Sequence, residues 1–265
     1  MTQAHDGPED DKPMPLLDHL VELRSRLVYS LAAIAVAFLF CYGFSESIYA
    51  FLVHPLAVAV EGKVPHKMIY TNLTEAFFTY LKVSFWASFC LAFPVIAVQL
   101  WAFVAPGLYK NERRAFLPYL VATPALFILG GALVYYMVIP LAWRFFLSFE
   151  TTGGPGALPI ELQPKVDEYL SLIMHMIFAF GVAFQLPVLL TLLARVGLVS
   201  STMLEERRRY AIVLCFIVAA VLTPPDVISM LSLAIPLYLL YEVSIFSARF
   251  VEKQRAEREA EEEET

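Results

Sequence analysis

The sequence predicts an all-α integral membrane protein with six transmembrane helices, both termini in the cytoplasm and a short final pair of helices. Composition is the first reason, because 59% of the 265 residues are hydrophobic and only 17% are charged, whereas soluble domains average about 25% charged residues. Separated apolar runs of helical length are the second reason, and the uneven placement of lysine and arginine between those runs is the third. Lipid is therefore the predicted solvent for most of the chain.

The spans follow from the length that a helix needs to cross a bilayer. A hydrocarbon core of about 30 Å requires about 20 mostly apolar helical residues. The predicted spans cover residues 27–44, 76–103, 116–139, 169–194, 210–222 and 227–241. An interfacial helix over residues 15–26 precedes them, because leucines recur on one helical stripe from Leu16 to Leu27.

These elements form one predicted domain over residues 15–249. Before it lies an acidic cytoplasmic tail, residues 1–14, and after it a charged cytoplasmic tail, residues 250–265. We expect residues 1–14 and, within the second tail, residues 257–264 to be solvated and disordered, because residues 5–11 and 257–264 hold much of the negative charge behind the formal net charge of −6. The same negative charge argues against a nucleic-acid partner.

The last two spans leave two arrangements open. Residues 210–222 reach only about 20 Å at 1.5 Å per residue, which is less than the hydrocarbon thickness. Either the bilayer thins locally around two short spans, or the pair forms a re-entrant hairpin. We favour two short spans, although charge bias cannot separate the two arrangements because both return the chain to the same side.

Basic residues give the orientation. Fourteen of the 19 Lys and Arg residues flank one face of the predicted bundle, and such residues concentrate on the cytoplasmic side. With an even number of crossings, both termini are then cytoplasmic. The segments 45–72 and 150–167 become long external loops rich in Pro and Gly, and the internal connections are shorter and basic.

Two glutamates on the cytoplasmic side are candidate binding residues. Spacing predicts that Glu22 forms an i,i+4 ion pair with Arg26, and a ligand site at Glu22 is the alternative. Glu112 follows a turn at Pro106 and Gly107 and falls in the first turn of a helix predicted to begin near Asn111, ahead of the third span. There it complements the helix dipole or, again as the alternative, binds a ligand.

Two further polar residues stand out in apolar surroundings. Gln185 lies about midway along the fourth span, where its amide must find partners inside protein; joining helices and binding another membrane segment are equally compatible with this position. Asp226 follows Pro224 and Pro225 at the tip of a tight external turn, and its residue type and position favour a helix cap.

Several kinds of chemistry lack a motif. No histidine or cysteine has a second ligand at metal spacing, and neither a paired aspartate arrangement nor a GxSxG serine is present in the spans, so we predict no metal, no cofactor and no enzyme activity. A small secondary transporter is the main alternative function, because short paired spans with a Pro-rich break can mark a substrate site.

Four separated motifs carry a family resemblance. HLVELRSRL, WAFVAPGLYKNERR, FGVAFQLPV and LTPPDV, in this order and at these spacings, resemble the TatC family of twin-arginine protein translocases over residues 16–249. The resemblance implies a receptor in the bacterial cytoplasmic (inner) membrane that binds paired-arginine signal peptides of folded proteins. It also implies recruitment of the single-span subunits A and B, export driven by the proton-motive force, self-association and contact with membrane lipid.

The resemblance also assigns residues to roles. It implies signal-peptide binding by Glu22 and Arg24 from the first motif and by Phe103 and Glu112 from the second, and it therefore favours binding over purely structural roles for the two glutamates. Carboxylates suit this task because they form charge-assisted, often bidentate bonds with guanidinium groups.

Three further expectations concern the rest of the bundle. Pro55 and Asp226 fall at characteristic external positions that shape the outer cap, and partner helices dock along the fifth and sixth spans. Gln185 stands where many family members have glutamate, which weakens any proton-relay role there while leaving a hydrogen-bonding role intact.

Overall fold

The computed structural model describes residues 16–61, 67–104, 117–154, 156, 158–223 and 226–263. Most of these residues are helical, and they include no β-strand. In chain order the α-helices are α1 (Leu16–Gly43), α2 (Ser45–Ala59), α3 (Glu75–Val104), α4 (Leu117–Leu133), α5 (Ile139–Leu147), α6 (Val166–Ala183), α7 (Leu186–Arg195), α8 (Ser201–Glu206), α9 (Arg208–Leu222) and α10 (Val227–Glu263). A π-helix, Val134–Val138, joins α4 to α5.

The all-α membrane class predicted from the sequence is confirmed. Five helical stretches in the described ranges are long and apolar enough to cross a membrane: His19–Gly43, Glu75–Phe103, Tyr119–Leu147, Val166–Arg195 and Val227–Gln254. Helix α9 has 15 residues and is not among them, so the count of six crossings stays a prediction. In the first stretch only 11% of the most apolar window is buried inside the chain, which leaves most of α1 to face lipid.

Three expectations about helix bounds need correction or extension. The predicted external loop 45–72 begins with helix α2, which buries Leu52, Pro55 and Leu56. Helix α1 runs without a break through the predicted interfacial helix and first span. Helix α9 is short as predicted, but α10 has 37 residues and continues to Glu263, so the disorder predicted for residues 257–264 is wrong as far as Glu263. Its distal sequence is rich in Glu, Lys, Arg and Ala, which favour helix.

Proline in α2 creates a hydrogen-bond vacancy that other helices fill. Pro55 has no N–H, so the carbonyl of Phe51 four residues earlier loses its helical partner. The Tyr135 hydroxyl donates to that carbonyl at 2.8 Å, and the Tyr169 hydroxyl donates to the carbonyl of Leu52 at 3.0 Å. These bonds fix α2 against the π-helix, which contains Tyr135, and against α6, which contains Tyr169. We call the end of the bundle that carries α2 the α2 end.

The π-helix has a comparable origin. Pro140 cannot donate a backbone hydrogen bond, and just before it the N–H of Ile139 bonds to the carbonyl of Val134, five residues back. Within this wider turn Tyr135 is buried, and its ring stacks on Phe51 with centroids 4.3 Å apart. The wider turn of the π-helix thus contains Tyr135, the residue whose ring and hydroxyl contact Phe51 of α2.

Glycine allows α4 and α6 to pack closely. A Cβ built on Gly181 would lie 2.5 Å from the ring of Phe127, and one built on Gly130 would lie 2.7 Å from the carbonyl oxygen of Phe180. Phe180 is fully buried and Phe127 is 3% exposed. Small residues at such crossings let helix backbones approach each other in a membrane. We call this close crossing of α4 and α6, with its buried phenylalanine rings, the central core.

Opposite ends of the bundle are held by different polar contacts. At the α2 end, Lys82 of α3 pairs with Asp167 of α6 at 2.6 Å. At the other end, which carries α8 and which we call the α8 end, Glu252 of α10 accepts hydrogen bonds from the backbone N–H and hydroxyl of Ser201 at 2.7 and 2.5 Å. Arg249 also pairs with Glu205 there. These contacts hold α10 against α8 as far as Glu252.

Candidate binding site where α1 meets α3

The antiparallel packing of α1 and α3 brings the first turns of α1 against the last turns of α3, at the α8 end. His19 and Phe103 stack there, with ring centroids 4.3 Å apart and an interplanar angle of 17°. His19 and Glu22 are three residues apart and therefore share one face of α1. Phe103, which the resemblance assigns to ligand binding, contacts that face about one helical turn from Glu22.

Glu22 is engaged in an ion pair within α1. Its Oε1 lies 3.1 Å from Nη2 of Arg26, so the i,i+4 pair predicted from spacing is present. Nη1 of the same guanidinium donates to Oε1 of Gln99 on α3 at 3.2 Å. The side chains of Glu22 and Arg26 are 19% and 34% exposed, so water reaches the pair. We refer to His19, Glu22, Arg26, Gln99 and Phe103 as the α1–α3 site.

Arg24 and Glu112 are the other two binding residues predicted from the sequence. Arg24 is exposed and makes no ion pair with any residue that the structure describes. Glu112 lies outside the described residues, in the segment between the end of α3 at Val104 and the start of α4 at Leu117. The structure thus brings Glu22 and Phe103 into one site, and it leaves Arg24 facing solvent.

The chemistry available at the α1–α3 site is recognition of a cation. An open groove of about 420 Å³ runs beside the ion pair and is lined by Val21, Glu22, Ser25, Arg26 and Tyr29. A carboxylate binds guanidinium through two parallel charge-assisted bonds, and aromatic faces such as those of Phe103 and Tyr29 pack against a guanidinium plane. The site already holds one guanidinium, that of Arg26.

Gln185 lies at a break between α6 and α7. Pro187 interrupts the backbone ladder, and the N–H of Gln185 bonds to Val182 rather than to Gly181. The side-chain Nε2 of Gln185 donates instead to the carbonyl of Gly181 at 3.2 Å and to the carbonyl of Thr123 on α4 at 3.0 Å. Its Oε1 is buried and has no hydrogen-bond partner among the described residues. The sequence left two alternatives for Gln185, joining helices of the chain and binding another membrane segment. The hydrogen bond to Thr123 on α4 is a direct contact of the first kind.

The two residues predicted at external positions both lie at the α2 end, away from the α1–α3 site. Pro55 is buried within α2. Asp226 is 6% exposed, and its Oδ1 accepts the backbone N–H of Ser229 at 2.6 Å, so the predicted cap at the start of α10 is present. Its Oδ2 is buried and has no hydrogen-bond partner in the part of the chain that the structure describes.

Sequence reasoning overlooked two members of the α1–α3 site, His19 and Gln99. Both carried a usable signal. His19 lies three residues before Glu22 and therefore on the same helix face, and Gln99 is a polar residue in an apolar span four residues before Phe103. What the sequence lacked was the register of α1 against α3, which pairs residues 73 positions apart.

Comparisons with known proteins agree with one another. A family model described as the Sec-independent protein translocase protein TatC matches residues 18–236. The protein of that name from Magnetococcus marinus is 51% identical over 253 residues, which cover 96% of this chain and 90% of the relative. The one from Escherichia coli K12 is 40% identical over 237 residues, which cover 89% and 88%. A crystal structure of the twin-arginine translocase receptor TatC matches with a TM-score of 0.74 and 36% identity, over 88% of this chain and 99% of that one.

Proposed function

The chain belongs to the TatC family of Sec-independent protein translocases, and from this premise we propose that it is the signal-peptide receptor and core membrane component of a twin-arginine translocase. It is a transport component and not an enzyme. The observation that carries the proposal is the ion pair between Glu22 and Arg26, because it gives a water-accessible carboxylate whose surroundings already accommodate a guanidinium. The family match does not favour a secondary transporter.

In this function the α1–α3 site receives the paired arginines of a signal peptide. Glu22 accepts one guanidinium, Glu112 accepts the other, and Phe103 provides a flat apolar surface beside them. Guanidinium is planar and offers several donors in a fixed fork, whereas lysine offers a compact point charge, so paired carboxylates favour arginine over lysine. Recognition then needs no covalent chemistry.

The orientation and the membrane are part of the same proposal. The protein is a multi-pass membrane protein, and we propose that its α8 end faces the cytoplasm across the bacterial inner membrane. Support comes from the positions of basic residues, since Arg24, Arg195 and Arg249 and the run Arg207–Arg209 all lie toward that end. A signal peptide on a newly folded cargo protein meets the site from this side.

Partner helices have a candidate docking surface on α9 and α10. We expect the single-span subunits A and B to dock there, because these helices expose apolar side chains such as Ile217, Ile235 and Phe246. The buried Oε1 of Gln185 has no donor within the described ranges, and a polar group on a partner helix would supply one after a small rearrangement. Co-purification of subunits A and B with wild type and with Gln185→Leu tests this, and equal recovery contradicts the Gln185 contact.

Capture of a signal peptide tests the receptor function. Membranes containing wild type, Glu22→Ala or Glu112→Ala are photo-crosslinked to a signal peptide bearing two arginines, and both substitutions should reduce the crosslinked product several-fold. Glu206→Ala is the matched control, because Glu206 is an exposed carboxylate at the same end of the bundle but outside the site. A peptide with two lysines measures specificity. Undiminished capture by both site variants, or equal capture of the lysine peptide, contradicts the proposal.

A further inference from the structure

Arg26 occupies the position in which a ligand guanidinium would bind Glu22. Its Nη2 lies 3.1 Å from Glu22 Oε1, while its Nη1 donates to Gln99 Oε1 at 3.2 Å. The guanidinium therefore bridges two acceptors on two helices. One acceptor is the charged carboxylate that the proposed function needs, and the other is a neutral amide.

We propose that Arg26 is an internal competitor for the signal-peptide arginine, released from Glu22 when the peptide binds and retained by Gln99. This inference deepens the proposed function and rests on it. In the unoccupied receptor Arg26 neutralises Glu22, and in the occupied receptor the peptide takes over the carboxylate. Arg26 thereby sets how strongly a cation must bind in order to enter the site.

Charge balance gives the first argument. Glu22 and Arg26 are the carboxylate and the guanidinium of the α1–α3 site, and their ion pair cancels the two charges. A site that is neutral before binding attracts a peptide with two positive charges only weakly unless one of its own cations moves away. Arg24 is exposed and has no ion-pair partner among the described residues, so Arg26 is the cation whose removal uncovers a carboxylate.

Hydrogen bonding gives the second argument. An arginine peptide that displaces Arg26 replaces one guanidinium–carboxylate contact with another, so the exchange is nearly balanced. Gln99 keeps one bond to the displaced side chain, which prevents the buried part of Arg26 from losing both partners at once. When a lysine peptide displaces Arg26, its contact with Glu22 is weaker than the contact that is lost, because ammonium lacks the planar fork of donors. Competition from Arg26 therefore sharpens the preference for arginine.

Three variants separate this role from a purely structural one. Arg26→Gln removes the competing charge and keeps a polar side chain near Gln99, so affinity for a two-arginine peptide should rise about two- to fivefold, the range of partly exposed ion pairs. Arg26→Lys competes more weakly than arginine and should give a smaller rise. Gln99→Leu removes the acceptor that holds displaced Arg26, so affinity should fall. If Arg26 only ties α1 to α3, all three variants should lower affinity.

The measurement uses full-length protein in lipid nanodiscs and fluorescent signal peptides with two arginines or two lysines. Arg26→Gln should also narrow the ratio between the two affinities. Thermal unfolding of each variant identifies any that fails to fold. If Arg26→Gln fails to fold, Arg26→Lys takes its place in the affinity measurement. An affinity at or below that of wild type in every folded Arg26 variant overturns the inference. Glu22→Ala in the same assay tests the proposed function separately, since wild-type affinity there removes both proposals.

Discussion

Replacing Gly181 with alanine is the sharpest test of the packing in the central core. The added Cβ would lie 2.5 Å from Cε2, 2.7 Å from Cδ2 and 2.8 Å from Cζ of Phe127. That ring is itself confined, because it is 3% exposed and stacks on Phe93 with centroids 3.8 Å apart. Relief requires a shift of the ring or of α6 against α4, and overpacking of this kind costs about 1–3 kcal/mol.

The assay is thermal unfolding in detergent, followed with a thiol-reactive dye. The chain has the free cysteines Cys41, Cys90 and Cys215, of which the first and last are buried, so labelling reports loss of the fold. A loss of about 1–3 kcal/mol in a chain of this size lowers the Tm by about 2–10 °C. The Tm of Gly181→Ala should fall within this range.

Gly43→Ala is the matched control. Gly43 is the last residue of α1, and a Cβ built there meets nothing within 4 Å. Alanine is favoured over glycine in a helix by up to about 1 kcal/mol, so the Tm should stay unchanged or rise slightly. The double substitution Gly181→Ala with Phe127→Leu should recover part of the loss. A Tm for Gly181→Ala equal to that of wild type would refute the packing argument.

The remaining predictions concern single polar contacts, read by the same unfolding assay. Tyr135→Phe leaves the carbonyl of Phe51 without a partner and should cost about 1–2 kcal/mol, and unchanged stability would show that another donor caps that carbonyl. Gln185→Leu frees two carbonyls at the α6–α7 break and should cost about 1–3 kcal/mol, whereas a gain in stability would contradict the helix-joining contact. Lys82→Met breaks a partly exposed pair with Asp167 and should cost less than about 1 kcal/mol, so a larger loss would argue against a solvent-screened contact.

Contacts that depend on neighbours in sequence were predictable. The pair between Glu22 and Arg26 follows from i,i+4 spacing, and the cap at Asp226 follows from residue type at the start of a helix. Such interactions need only the helix period and the propensities of single residues. The apolar runs were predictable for the same reason, because crossing a bilayer sets one length for every span.

Contacts between distant segments were not predictable from one sequence. The bond between Arg26 and Gln99 depends on the register of two helices, and nothing in either helix alone specifies that register. Helix α2 was predicted as loop because proline and glycine punctuate its region. Its Pro55 is tolerated in a helix because tyrosine hydroxyls from elsewhere bond to the neighbouring carbonyls. Tertiary partners thus override a local signal.

The length of α10 has a mechanical consequence. Its 37 residues form a rod of about 55 Å, nearly twice the thickness of the hydrocarbon core. Pro236 lies in the first third and removes one backbone bond, which makes it the natural pivot. A change of about 10° at that pivot would swing the far end at Glu263 through about 7 Å, given 1.5 Å of rise per residue. A small bend within the bilayer would thus be amplified into a large sweep of the acidic tip outside it.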